Sequence, residues 1–125
     1  EDRKVHPREG ILRLLAKGIS LDAVVCYNDQ IAMQIIPALA SRGIRVPEDI
    51  SVTGYDNSCM AMGDGFHLTT IVHPQEKLGE MAAQLLLSLL RGETLQPEQS
   101  KILIQPELVV GNSCCGIFTS KYTTC

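Results

Sequence analysis

The sequence predicts an α/β fold in which helices flank a parallel sheet, and three observations carry that expectation. Short apolar runs alternate with longer segments of helical period, the alternation that builds a parallel sheet with helices on its faces. The first run, residues 22–27, is apolar on both parities, which suits a strand covered on both sides. The runs at 22–27, 50–55 and 68–72 each lead to a group able to hydrogen-bond a polar ligand, namely Asn28, Asp56 and His73. Open α/β sheets assemble ligand sites from the carboxyl ends of their strands.

Each element has a local reason. Residues 8–17 carry Ile11, Leu14 and Leu15 at helical spacing, and Gly18 follows as a helix stop. After the first strand, Asn28 is a good N-cap, and Asp29 in the first turn suits the helix dipole. That helix is expected over 29–42, burying Ile31, Ile35, Ala38 and Leu39. Pro37 inside it removes a backbone bond, so a kink or a break is expected there. Gly43 ends the helix, and Pro47 sits in the turn before the second strand at 50–55. Residues 57–66 show no clear period and read as a loop or a short irregular helix on the ligand side of the sheet. The third strand, 68–72, is short and β-branched. Pro74 suits the first helical position. Residues 76–91 then place Leu78, Met81, Ala82, Leu85 and Leu89 on one face, widened by Leu86 and Leu90 and closed by Gly92. Gly79 is expected to permit close packing on the sheet. Two short strands, 101–105 and 107–111, are expected around Pro106, whose missing N–H marks an edge or bend.

Composition narrows the function classes. The 125 residues allow one domain at most, with 45% apolar and 20% charged residues as in ordinary globular chains. Aromatics are 4% and Trp is absent, so the core is aliphatic. Net charge is −3 and no Lys/Arg cluster stands out, which argues against a nucleic-acid surface. No apolar run reaches membrane-spanning length, and residues 1–4 lack signal-peptide character, so no membrane partner is expected. Five cysteines without C-x-x-C spacing argue against a disulfide framework or a zinc site. Cys26 reads as a small buried hydrophobe, and reduced thiols suit a cytoplasmic protein. No metal and no cofactor is expected.

Taken singly, each polar strand end has a plain structural role: Asn28 as a helix cap, Asp56 as a turn former, His73 as the residue ahead of a proline turn. Together, at the same end of successive strands, they make a candidate ligand-binding set. A carboxylate accepts two hydrogen bonds, as vicinal hydroxyls of a sugar require, while Asn28 and His73 donate and accept. Catalytic motifs are lacking. Residues 54–58 do not form a G-x-S-x-G elbow, and Gly63-Asp64-Gly65 lacks the strand and Lys of a phosphate loop. Nothing places Cys59 with His67 as nucleophile and base. No enzyme is expected and no catalytic residue is assigned.

Four stretches carry a family resemblance: residues 27–32 (YNDQIA), 43–56 (GIRVPEDISVTGYD), 68–71 (LTTI) and Leu78-Gly79. They resemble the C-terminal part of the effector-binding domain of the Lac/Gal repressor family. The match in order and spacing runs from about Leu21 to Gly92, and more loosely to Val110. Cys26-Tyr27-Asn28-Asp29 with His73-Pro74 is most similar to the arabinose repressor branch, whose members join this domain to a winged-helix DNA-binding domain.

The resemblance implies a partial periplasmic-binding-protein-like (type I) lobe, one wall of a sugar cleft. It implies sugar contacts from Asn28 and Asp56, with His73 where many relatives have Gln. It implies a homodimer whose surface uses the helix after Asn28 and the segment after Asp56, with Met33, Ile36, Met60 and Met62 as its candidate residues. The Arg usual near the end of the last strand falls at Gly111 here. On this reading residues 1–111 are the C-terminal portion of the effector domain, with the DNA-binding domain and first lobe outside the chain. Residues 112–125 are a tail without pattern, expected to be disordered.

The expected function is the sugar-sensing part of a transcriptional repressor of carbohydrate use. Its effector is L-arabinose or a related carbohydrate, and sugar binding lowers operator affinity. The alternatives are a sugar-binding transport receptor, which predicts a signal peptide upstream, and a glycoside-active enzyme using Asp56 and His73.

Overall fold

The computed structural model describes residues 6–58, 65–94 and 101–115. Its elements are α1 (Pro7–Ala16), β1 (Ala23–Val25), α2 (Asp29–Ala40), β2 (Ser51–Thr53), β3 (Thr70–Val72), α3 (Gln75–Leu90) and β4 (Glu107–Val109). The order follows the alternation of the sequence. The strands are shorter than the apolar runs, three residues each, although single backbone bonds continue the pairing beyond them.

β1 and β2 pair in parallel, with Val24 opposite Val52, and α2 connects them. The ladder is extended by Cys26 N donating to Thr53 O at 2.9 Å and Asp29 N donating to Tyr55 O at 2.9 Å. β3 joins β2 in parallel through the Thr53–Thr69 bridge, with Gly54 N on Thr69 O at 2.9 Å and Asp56 N on Ile71 O at 3.0 Å. β4 runs antiparallel to β3, with Ile71 opposite Leu108. The parallel sheet therefore carries one antiparallel edge. Residues 101–105 form no strand, contrary to expectation, and Leu103 there is exposed.

The core lies between α1, α2 and the sheet. It is built from Ile11, Cys26, Ala32, Ile35, Ile36, Ala38, Leu39, Ile50, Val52 and Leu68. α2 runs unbroken across Pro37, which lies on its exposed side where the lost backbone bond faces water. Ala32 and Ile36 are buried, whereas Ile31 is only half-buried, so the inward face is rotated slightly from the expected one. A single residue of rotation is within what a 3.6-residue period leaves open.

Two expectations about cover fail. The strand apolar on both parities is covered on one face only: Val24 packs against the core, while Val25 is 82% exposed. Likewise α3 has no buried residue. Gly79 has open space around it and no close approach to the sheet. Periodicity reports that a helix has an apolar face, and says nothing of what meets it.

Residues 112–115, expected to open a disordered tail, are knitted into the sheet. Ser113 is fully buried. Its hydroxyl donates to Val52 O at 2.6 Å and accepts from Thr69 N at 2.8 Å, while its carbonyl accepts from Val52 N at 2.8 Å. Ser113 thus fills the gap below the point where β2 and β3 begin to pair, satisfying backbone groups that would otherwise be buried without partners. Asn112 does the same for His67, accepting from its N–H at 2.8 Å and donating to its carbonyl at 2.8 Å. A Cβ at Gly111 would collide with the His67 carbonyl, so this crossing admits glycine alone. Residues 116–125 lie outside the described residues.

Candidate functional site

The site is organised by a residue whose expected role was minor. Asp29, in the first turn of α2, is 1% exposed. Its Oδ1 accepts from the Thr70 hydroxyl at 2.6 Å and its Oδ2 from Ser58 N at 2.9 Å. Charge-assisted bonds of this kind are the strong ones, and they hold the carboxylate inside. Gly54 makes room for it, since a Cβ there would meet Asp29 Oδ1 and Leu68. Thr70 Oγ1 also accepts from Asn57 N at 3.3 Å. One buried carboxylate on α2 and one hydroxyl on β3 thereby fix the turn that follows β2.

That turn presents Asp56. Asp56 and Asn57 have φ of 94° and 49°, in the left-handed region that non-glycine residues rarely occupy and that Asp and Asn tolerate best. The backbone of Asp56 is pinned to Ile71 O, and its half-buried carboxylate has no hydrogen-bond partner among the described residues. His73 stands at the end of β3. Its Nδ1 lies 3.2 Å from the Tyr55 hydroxyl, with the two rings 5.8 Å apart and tilted by 48°. Asp56 and His73 line one cleft of about 490 Å³ together with Asn57, Ser58, Glu76 and Lys77. Its volume falls in the usual range of small-ligand pockets.

Asn28 does not line that cleft. It caps α2, its Oδ1 accepting from Ile31 N at 3.0 Å in an extended conformation. Its local role is therefore the plain one, and only its amide group remains for a ligand. Of the proposed dimer residues, Ile36 is part of the chain's own core at 9% exposure, and Met33 is half-buried. Met60 and Met62 lie outside the described residues, as does Cys59.

Burial pushes the Cys26 thiol up to about 11, and the Asp29 charge adds to the rise, so it remains a protonated core residue rather than a nucleophile. Away from the cleft, Asp49 forms a two-bond pair with Arg45, at 3.0 Å to Nε and 2.9 Å to Nη2, and also accepts from Arg45 N. The Arg45 side chain, and then its backbone N–H, hold Asp49 down at about 2. Among the described residues no His, Cys, Asp and Glu side chains cluster as a metal site would need. None of the described helices is long and apolar enough to cross a membrane.

Sequence reasoning missed Asp29, Thr70 and Tyr55. The signal for Asp29 was present as an acidic residue directly before an apolar helix, but that pattern also fits a solvated dipole partner. Its true partners, Ser58 and Thr70, are far along the chain.

The geometry can be set beside known proteins. Residues 3–114 match the family model of the periplasmic binding protein-like domain. The chain is 36% identical over 118 residues to the arabinose metabolism transcriptional repressor of Halalkalibacterium halodurans, covering 90% of this chain and 31% of that one. It is 38% identical over 91 residues to the HTH-type transcriptional repressor PurR of Vibrio campbellii, covering 73% and 27%. Among solved structures, the lac repressor dimer bound to operator and the anti-inducer ONPF aligns with a TM-score of 0.75 at 29% identity, over 88% of this chain and 37% of that one. The transcriptional regulator CelR in complex with cellobiose aligns at 0.74 and 31% identity, over 86% and 32%. The chain spans about a third of the length of these relatives. These relatives are transcriptional regulators rather than enzymes. The chain belongs to the periplasmic-binding-protein-like domain family, in the form carried by Lac-type transcriptional regulators.

Proposed function

We propose that this chain is the C-terminal portion of the effector-binding domain of a cytoplasmic repressor of carbohydrate-utilisation genes, with L-arabinose or a related sugar as effector. One observation carries the reading: Asp56 and His73, from the carboxyl ends of neighbouring strands, share one open cleft in a chain 36% identical to an arabinose repressor. Asp56 accepts from sugar hydroxyls, His73 supplies a second polar contact, and Asn28 adds its amide when the opposing wall completes the cleft. Operator binding belongs to a region outside this chain, and the repressor acts as a homodimer through α2, near Met33, and the segment holding Met60 and Met62.

The mechanism is linkage. Sugar binds the closed arrangement of the two lobes better than the open one, and that difference lowers operator affinity by the same factor by which operator lowers sugar affinity. Domain closure of this kind is a hinge motion.

The test is thermal stability of the full-length repressor against pentoses and hexoses. A ligand at about 100 times its dissociation constant adds about 2.7 kcal/mol. A shift with one sugar that vanishes in Asp56→Ala and in His73→Ala is the expected result. A folded protein that responds to no sugar overturns the assignment.

A further inference from the structure

Tyr55 and His73 form a pair that the proposed sugar contacts leave unused. Tyr55 follows β2 and His73 follows β3, so adjacent parallel strands deliver them side by side. Both are half-buried, and the contact runs from the phenol hydroxyl to Nδ1 at 3.2 Å. It is the sole side-chain hydrogen bond of His73 among the described residues, which leaves Nε2 as the nitrogen available to the cleft that His73 lines.

The direction of that bond has a chemical answer. A phenol is a good donor and a poor acceptor, because its oxygen lone pair is delocalised into the ring. The unprotonated nitrogen of a neutral imidazole is a good acceptor. The O–H therefore donates to Nδ1, and in neutral imidazole a nitrogen that accepts leaves the proton on its partner. We propose that Tyr55 is a positioning residue that holds His73 as the Nε2–H tautomer, so that the cleft presents an N–H donor together with the Asp56 acceptor.

This deepens the sugar reading, on which it rests, by fixing the polarity of the two contacts. A ligand must bring an acceptor oxygen to His73 and a hydroxyl donor to Asp56. Neighbouring oxygens of a neutral sugar offer that combination, whereas an anionic ligand meets two carboxylates on the same cleft, Asp56 and Glu76, against the single ammonium of Lys77. A His73 held as the other tautomer would offer a second acceptor, and the ring oxygen of a sugar would then face a lone pair.

The experiment is nuclear magnetic resonance of the histidine ring nitrogens in the full-length repressor, at a pH where imidazole is neutral, with His73→Gln used to assign the signal. The expected pattern is an acceptor-type Nδ1 and a protonated Nε2, shifting toward a mixture of tautomers in Tyr55→Phe. Protonated Nδ1 in the unmodified protein, or an unchanged pattern in Tyr55→Phe, overturns the proposal. Calorimetric titration with L-arabinose supplies the second readout. Tyr55→Phe is expected to weaken binding on the order of tenfold, a single good hydrogen bond's worth, and to have little effect in a His73→Gln background. Equal losses from Tyr55→Phe in both backgrounds overturn the positioning role, since they place the effect outside His73. Failure of every pentose and hexose to bind a protein that shows the expected tautomer removes the sugar reading and leaves the Tyr55 assignment standing. Because Tyr55→Phe keeps the ring, a folded variant is expected, and unchanged helical circular dichroism verifies it.

Discussion

α2 and α3 are built from the same kind of sequence and meet opposite fates. Each is amphipathic, and each ends in the same way. Gly43 and Gly92, with φ of 73° and 77°, let the next backbone N–H reach back, from Ile44 to Leu39 and from Glu93 to Ser88. Their inner faces differ completely. Leu39 of α2 is 0% exposed, whereas Leu90 of α3 is 74% exposed and none of α3's residues is buried. The difference lies in what surrounds them. α2 connects two paired strands and has α1 across its other side, and its first turn is tied into the sheet through Asp29. α3 enters from Pro74 with no side-chain cap, and among the described residues its Met81, Gln84, Leu85 and Ser88 border a hollow shared with Ile102. A helix is stabilised mainly by the cover on its apolar face, and the period that creates the face carries no record of the cover.

The widest gap is expected between Leu39→Ala and Leu89→Ala. The first opens a cavity in a closed site and should cost about 4 kcal/mol, within the range for buried leucine truncation. The second removes a side chain that is 52% exposed and should cost under about 0.5 kcal/mol. Urea denaturation of this chain measures both. Equal costs would break the comparison by showing that α3 is covered in solution.

A smaller effect is expected where α2 meets the site. Asp29→Asn replaces one acceptor oxygen by an NH2 group, which either opposes the Ser58 N–H as a second donor or takes from the Thr70 hydroxyl the acceptor it donates to. The cost should be about 2 kcal/mol. Gly54→Ala forces the same carboxylate aside and should cost about 2 kcal/mol, as overpacking does. Because both changes disturb one contact, they should be far from additive in the double variant. Additive losses in denaturation would mean that Gly54 and Asp29 act separately. Both variants should also release the turn at Asp56 and weaken sugar binding, while a change on the α3 surface such as Leu87→Gln should leave it intact.

The legible and illegible parts divide along the same line. Local chemistry was readable: the Asn28 cap, Gly18, Gly43 and Gly92 as stops, and the alternation that implies the sheet. The pairing of Asp56 with His73 on one cleft was also foreseeable, because successive strands of an open sheet end on the same side. What the sequence did not display depends on residues distant in the chain. Ser113 reads as part of a patternless tail until Val52 and Thr69 are placed beside it. Asp29 reads as a surface charge until Ser58 and Thr70 close over it. Pro37 reads as a break until the helix is seen to turn that position to water. Ile36 reads as a surface residue until Ile44 and Val46 are seen in the core layer around it.

The smallest expected effect tests the exit from α2, which has an ion pair that the exit from α3 lacks among the described residues. Arg45 and Asp49 clasp the turn leading into β2, and the Arg45 bonds hold the Asp49 carboxyl at about 2, below its ordinary 3.8. A carboxyl whose folded value is depressed contributes stability above its unfolded value and loses it as pH falls through the folded one. The Arg45–Asp49 clasp should therefore act in full above about pH 4 and fade toward about pH 2. Both side chains face water, so the contribution is small and screened by salt. Denaturation midpoints of the unmodified chain and Asp49→Asn should differ slightly at pH 6 and converge as the pH approaches 2. A gap that stays constant with pH would mean that Asp49 supports the turn by shape alone, through the backbone bond at Arg45, and that the exits of α2 and α3 are electrostatically equivalent.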